Sequence, residues 1–207
     1  MSEIIPRFEF RTFAQDFGAV AERLRDRGSS PDIGESREVY LISRDAEGSN
    51  IKVRSGTLEI KRLIGRHANL ERWTPVAKQP FPLARAFVET MLLPALAATD
   101  ASIDHDTYTL ARLIGDVINP HPGLIRACVF KRRFRFGLQG CDGEMDELLI
   151  NGAAIQSVAL ESADADALIE LVNTMGLGDY EPVNYPLAIR RITGLEPLSD
   201  CLLYTSP

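Results

Sequence analysis

Polar and apolar residues alternate through residues 50–64 in two short runs joined at Ser55-Gly56. Ile51 and Val53 fall on one side of the first run, Lys52 and Arg54 on the other. In the second, Leu58 and Ile60 oppose Thr57, Glu59 and Lys61. Period-two alternation predicts half-buried strands, and a Ser-Gly pair between them predicts a tight hairpin. The polar face is basic. A single hairpin of this kind is most simply a solvated surface. The pattern gains meaning only if it recurs.

It does recur. Residues 4–11 read as a strand with Ile5, Arg7, Glu9 and Arg11 on one side and Phe8 and Phe10 on the other. Leu124–Leu138 places Ala127, Val129, Lys131, Arg133 and Arg135 on one face. Gly140-Cys-Asp-Gly143 then marks a turn, and residues 144–150 return as a strand carrying Glu144 and Asp146 on one side. Asn151-Gly152 is a second hairpin signal, followed by a strand over 153–161 that contains Glu161. Further strands are expected over 37–43 and 70–76.

Between these strands the period becomes helical. Phe13, Phe17, Val20, Ala21 and Leu24 form a stripe over 12–27. Residues 82–98 and 107–118 read as an inserted helical layer, with Pro94 disturbing the first helix and Pro120 and Pro122 ending the second. Ser162 is expected to cap a helix over 163–175, and Asn184-Tyr-Pro opens a last helical turn. Residues 198–207 fit no element and read as a non-native or disordered tail. The expectation is a single α+β domain over 1–197. It consists of a closed antiparallel β-barrel with flanking helices and a central helical insertion at about 82–118.

Composition narrows the function. The 207 residues are 45% hydrophobic and 25% charged, with a formal net charge of −6. An acidic chain is not built to coat duplex nucleic acid, so a basic site must be a local concentration of charge. No apolar run reaches the length that spans a bilayer. The first residues show no basic start followed by an apolar stretch of secretory type. The three cysteines, Cys128, Cys141 and Cys201, lack metal-ligand spacing, which favours a reduced, cytoplasmic setting.

If the strands close into a barrel, cations from distant hairpins point into one lumen. Like charges packed together away from water need an anionic partner. A triphosphate or polyphosphate offers several negative charges in a row and accepts hydrogen bonds along its length. Carboxylates among the cations would repel a bare phosphate, but they make sense as holders of Mg²⁺ or Mn²⁺. The candidate phosphate-binding residues are Arg7, Arg11, Lys52, Arg54, Lys61, Lys131, Arg133 and Arg135. The candidate metal ligands are Glu9, Glu59, Asp146 and Glu161.

The order of these motifs resembles the CYTH, or triphosphate tunnel metalloenzyme, superfamily. The resemblance is carried by Arg7-Phe-Glu9-Phe-Arg11, Lys52-Val-Arg54, Leu58-Glu59-Ile60-Lys61, Lys131-Arg-Arg133, the Asp146 strand and Ala159-Leu-Glu161. It implies a tunnel of antiparallel strands and a metal-dependent activity on triphosphates, such as triphosphatase or adenylate cyclase. Glu9 and Glu161 would hold the ion, and a water activated on it would attack phosphorus. Two positions depart from the family's pattern. The first carboxylate of its Glu-x-Glu-x-Lys strand is Arg7 here, and the first of its late Glu-x-Glu is Ala159. A full two-ion site is therefore compromised. A binding module that keeps the cations but not the metal stays open, as does a merely solvated basic face. Glu38, Glu59 and Glu144 stand as possible substitutes for the missing carboxylates.

Overall fold

The computed structural model describes residues 7–196. The elements in chain order are β1 (Phe8–Ala14), α1 (Ala19–Arg27), β2 (Asp32–Ser43), β3 (Ser49–Arg54), β4 (Thr57–His67) and β5 (Leu70–Pro80). Next come β6 (Leu83–Ala84), α2 (residues 85–95), β7 (Thr107–Tyr108) and α3 (residues 110–118). The chain continues with β8 (Leu124–Leu138), β9 (Cys141–Ile150), β10 (Ala153–Ser162), α4 (Ala165–Thr174) and α5 (Tyr185–Ile192). Eight strands close into an antiparallel barrel in the order β1-β10-β9-β8-β2-β3-β4-β5. The closed antiparallel barrel expected from the sequence is therefore present. The tail expected at 198–207, and the start of the first strand at 4–6, lie outside the described residues.

Turn chemistry sets the register. Ser55 and Gly56 have φ of 49° and 72°, and Asn151 and Gly152 have φ of 49° and 91°. Both central residues in the left-handed region make the tight turn whose twist matches that of paired strands. Once the register is fixed, alternation decides which side chains enter the lumen. Phe8 and Glu9 of β1 pair with Arg72 and Glu71 of β5, and this seam closes the barrel.

Three apolar clusters hold the barrel. Outside β1, β8, β9 and β10, helices α1 and α4 bury Val20, Ala21, Leu24, Leu168, Leu171 and Val172 against Phe10, Phe136, Val158 and Leu160. Outside β3 and β4, the segment from β6 to α3 buries Leu83, Val88, Leu92, Leu113 and Val117 against Ile51, Val53, Leu58 and Ile60. The third cluster fills one end of the barrel. There Ala188 and Ile189 of α5 meet Phe13, Tyr40, Val129, Leu148, Ile155 and Tyr185.

Several boundaries differ from expectation for identifiable reasons. The first helix begins at Ala19 and not at residue 12, because β1 stays paired with β10 as far as Ala14↔Gln156. Phe13 therefore belongs to the barrel interior, and its spacing to Phe17 is not that of one helix face. Strand β2 starts at Asp32, its exposed first half held by pairing with β8. The cap of α4 is Asp164, whose carboxylate accepts from the amides of Asp166 and Ala167, while Ser162 ends β10. Residues 88–92 and 113–118 are wound as π-helix, a wider turn in helices that are otherwise too short to stand alone. No helix among the described residues is long and apolar enough to cross a membrane.

Phe10 is fully buried between the barrel and the two flanking helices. Replacing it with Ala is expected to cost about 3–5 kcal/mol, read as a lower midpoint in chemical denaturation. A loss below about 1 kcal/mol would show that the helices do not depend on this contact.

Candidate functional site

The half of the lumen not filled by apolar side chains is a cavity of about 310 Å³. Seven cations line it, namely Arg11, Lys52, Arg54, Lys61, Lys131, Arg133 and Arg135, together with the carboxylates Glu9, Glu59, Glu144 and Glu161. The cations come from β1, β3, β4 and β8, brought together by closure of the barrel. Tyr40 and Tyr185 also line it. Their rings stack with centroids 5.3 Å apart, and the third apolar cluster packs behind them, so they form the cavity floor. At the opposite mouth, Arg135, Glu144 and Glu161 also border a wider cavity of about 450 Å³ that includes Ser29, Ser30, Asp32 and Asp142.

Strand register makes the lumen a chequerboard of charge. Lys52 lies opposite Glu59, Glu38 opposite Arg54, Arg133 opposite Asp146, and Arg135 opposite Glu144. Opposite charges facing each other across a ladder are favourable. On one wall Lys52 approaches Glu38 at 3.4 Å and Arg54 approaches Glu59 at 3.4 Å. The hydroxyl of Tyr40 donates to Glu38 at 3.0 Å.

The other wall is built around Arg11, which is 8% exposed. Its Nε donates to Glu9 at 2.8 Å, one terminal nitrogen donates to Glu144 at 3.2 Å, and the other reaches Asp146 at 3.3 Å and Ser157 at 3.1 Å. Its guanidinium lies 4.8 Å from the centre of the Tyr185 ring. Lys131 stands 3.4 Å from Asp146, and Arg133 stands 3.0 Å from Glu144. Asp146 is fully buried and also accepts from Tyr185 at 2.8 Å and Ser157 at 3.0 Å. Tyr185 is positioned by Asn184, which caps α5 by accepting from Leu187 and donates to Glu71 at the barrel seam.

The charges therefore are not bare. Each inward cation named in these contacts already meets a resident carboxylate. Burial pushes the Glu144 carboxyl up, but Arg11, Lys131 and Arg133 override it and hold it well below the usual carboxylate range. Burial, together with Lys131 and Arg54, brings the Lys52 ammonium down to about 8 despite the pull of Glu38. Glu161 faces Glu9 directly across the β1–β10 ladder. Burial first, then the Glu9 charge, raises the Glu161 carboxyl to about 7.

The candidates from the sequence separate into three groups. Arg11, Lys52, Arg54, Lys61, Lys131, Arg133 and Arg135 border the same cavity, as do Glu9, Glu59 and Glu161. Asp146 is placed behind the wall as an anchor for Arg11 and Lys131. Arg7 is turned to the rim, where it bonds Asp142 and the Glu161 carbonyl. Tyr40 and Tyr185 were not among the candidates, and Glu38 stood only as a possible substitute for a missing carboxylate. Alternation along β2 puts Glu38 and Tyr40 on the lumen side. Nothing local in the sequence marks Tyr185, because its role comes from α5 entering the barrel end.

A divalent ion needs several oxygen donors converging on one point. The expected ligands do not converge. Glu59 sits on the far wall with Lys52, Arg54 and Lys78 at 3.9, 3.4 and 3.5 Å. Asp146 Oδ1 makes no hydrogen bond, yet the nearby charge is that of Arg133, at 3.7 Å. Only Glu9 and Glu161 adjoin, and Glu9 already accepts from Arg11. Among the described residues, no three His, Cys, Asp or Glu side chains are grouped to hold a metal ion. The residues present do not fit the Mg²⁺ or Mn²⁺ site expected from the sequence.

No family model matches the chain, and no curated protein matches it. Solved structures do. A conserved hypothetical protein from Pyrococcus furiosus is 16% identical, with a TM-score of 0.49 over 87% of this chain and 98% of its own. A putative adenylyl cyclase from Hippeastrum, described as having a dominant triphosphatase activity, is 10% identical, with a TM-score of 0.49 over 92% of this chain and 98% of its own. The Mimivirus capping enzyme triphosphatase is 10% identical, with a TM-score of 0.46 over 85% of this chain and 90% of its own. The architecture stands on the barrel's own topology.

A carboxyl whose folded pKa is raised stabilises the fold fully below its unfolded value and loses that contribution as pH rises through the folded value. Glu161 is such a group, with a window from 4.5 to about 7. The melting temperature of the native chain minus that of Glu161→Gln is therefore expected to fall as pH rises from 4.5 to 7. A difference that stays flat across this window contradicts a Glu161 carboxyl raised by burial and by the facing Glu9.

Proposed function

We propose that this chain binds the triphosphate or polyphosphate end of a small molecule in the lumen of its barrel. The observation that carries the reading is the convergence of seven cations from four strands on one cavity of about 310 Å³. They outnumber the four carboxylates that share the lining, and the six when Glu38 and Asp146 are counted with them, so the site still holds an excess of donors for an anion. The shape adds a direction. With Tyr40 and Tyr185 as a floor, a chain enters from the mouth at Arg135 with its terminal phosphate innermost, and the organic part stays toward the wider cavity. A guanidinium or ammonium that already meets a carboxylate gives its remaining N–H bonds to phosphate oxygens without leaving its partner.

Hydrolysis of the bound chain is a second reading, favoured by Glu161. Its carboxyl lines the cavity and keeps its proton to about 7, within reach of neutral pH as a donor to a departing phosphate.

Tripolyphosphate titrated into the purified chain is expected to bind, as read by calorimetry. Lys52→Ala is expected to weaken that binding on the order of 10- to 100-fold, the equivalent of one charge-assisted hydrogen bond. Unchanged affinity in a folded Lys52→Ala protein, or no heat of binding with the native chain, rejects the proposal. For the second reading, phosphate release is expected from tripolyphosphate or a nucleoside triphosphate. Glu161→Gln should abolish the release while leaving calorimetric binding in place. Binding without any release leaves the binding function alone.

A further inference from the structure

The acids of the lumen raise a question that the cations do not. Carboxylates inside a site for a polyanion repel the ligand unless a positive charge stands among them. The sequence assigns that part to a divalent ion, and the side chains do not converge to hold one. The positive charge among the acids is already present in the chain. We infer that the Arg11 guanidinium is the resident counter-ion of the acidic wall, so that the phosphate chain is held without a divalent metal. This rests on the reading of the lumen as a polyphosphate site.

Four observations support it. First, Arg11 spends all three of its nitrogens on this wall, with Glu9, Glu144 and Asp146 at 2.8, 3.2 and 3.3 Å. A single guanidinium thus meets three carboxylates from β1 and β9, a planar fork well matched to carboxylate oxygens. Second, it has no easy way out. It is 8% exposed, it lies over the Tyr185 ring at 4.8 Å, and Ser157 holds the same nitrogen that reaches Asp146.

Third, the space it occupies is made by the chain itself. Arg11 lies opposite Ala159 in the β1–β10 register, and Ala159 lies opposite Glu144 across β9. A methyl group at this inward position, 1% exposed, leaves room for the guanidinium to cross the lumen wall to β9. Fourth, the acids of the opposite wall are committed there. Glu38 and Glu59 serve Lys52 and Arg54 on the opposite wall. An ion between Glu9 and Glu161 would stand beside the guanidinium that Glu9 already binds. The added like charge would have only Glu161 as an unengaged carboxyl to offset it. Arginine stays charged at every working pH, so this counter-ion is permanent where a bound ion would come and go with its concentration.

The test has two arms on the full chain. In the first, tripolyphosphate is titrated calorimetrically in EDTA and then in excess Mg²⁺ or Mn²⁺. The affinity in EDTA is expected to equal or exceed that with metal, since free ions compete for the ligand. A tightening of about 10-fold or more with either ion overturns the inference. In the second arm, Mn²⁺ alone is mixed with protein and the free-ion signal is followed by electron paramagnetic resonance. The native chain is expected to leave that signal unchanged. Arg11→Gln, which exposes the same carboxylates, is expected to deplete it. Mn²⁺ uptake by the native chain overturns the inference, as does a folded Arg11→Gln that takes up none. If Arg11→Gln fails to fold, the native chain in both arms still decides. Absence of tripolyphosphate binding with and without metal rejects the function proposed for the lumen. The Mn²⁺ arm then separately decides whether Arg11 fills the place of an ion.

Discussion

One guanidinium held among three carboxylates inside a closed barrel sets the arrangement of the other charges in the lumen. Arg11 ties β1 to β9 across β10, so the ion pairs exist only when these three strands are paired in register. Without it, Glu144 and Asp146, neighbours on one face of β9, would have only Lys131 and Arg133 to compensate. Removing one partner of a buried charge network leaves the others unpaired in a poorly screened setting, which costs far more than a surface ion pair contributes. The floor depends on the same contact. Tyr185 donates to Asp146 and lies beneath both Arg11 and Lys131, so the plug formed by α5 and the charged wall are one packed unit.

Much of the barrel was legible because antiparallel strands with one wet face write their register into the sequence. Lys52 and Arg54 alternate with Ile51 and Val53, and Lys131, Arg133 and Arg135 alternate with Cys128, Phe130 and Phe134. The structure places the first set toward the lumen, with Ile51 and Val53 in the apolar cluster outside it. Two-residue turns at Ser55-Gly56 and Asn151-Gly152 were equally plain, since few sequences accept two left-handed residues in succession. What misled was a helical spacing that crossed an element boundary. Phe13 ends a strand with its ring in the barrel core, while Phe17 faces the outer helices.

The site was half legible. Residue type and alternation located its cations, but not the partner each would meet, because pairing depends on which strands become neighbours. Arg7 continues the same alternation as Glu9 and Arg11, yet at the rim it finds Asp142. Asp146 carries the same charge as Glu144 and sits two residues away, yet it is sealed behind the wall while Glu144 borders the cavity. Tyr185 was invisible as a site residue because the barrel end that it closes is assembled from segments far apart in the chain. The expectation of a metal followed from counting acids among cations. The structure shows most of those acids already engaged by the cations themselves.

The central claim is that the neutralised lumen still accepts a phosphate chain. It is tested most directly by a crystal structure of the chain grown with tripolyphosphate. The account predicts continuous density for the anion inside the barrel, its inner phosphate above Tyr185 and its oxygens bonded by Lys52, Lys131 and Arg133. An empty lumen in crystals that bind the anion only on the outer surface would contradict it.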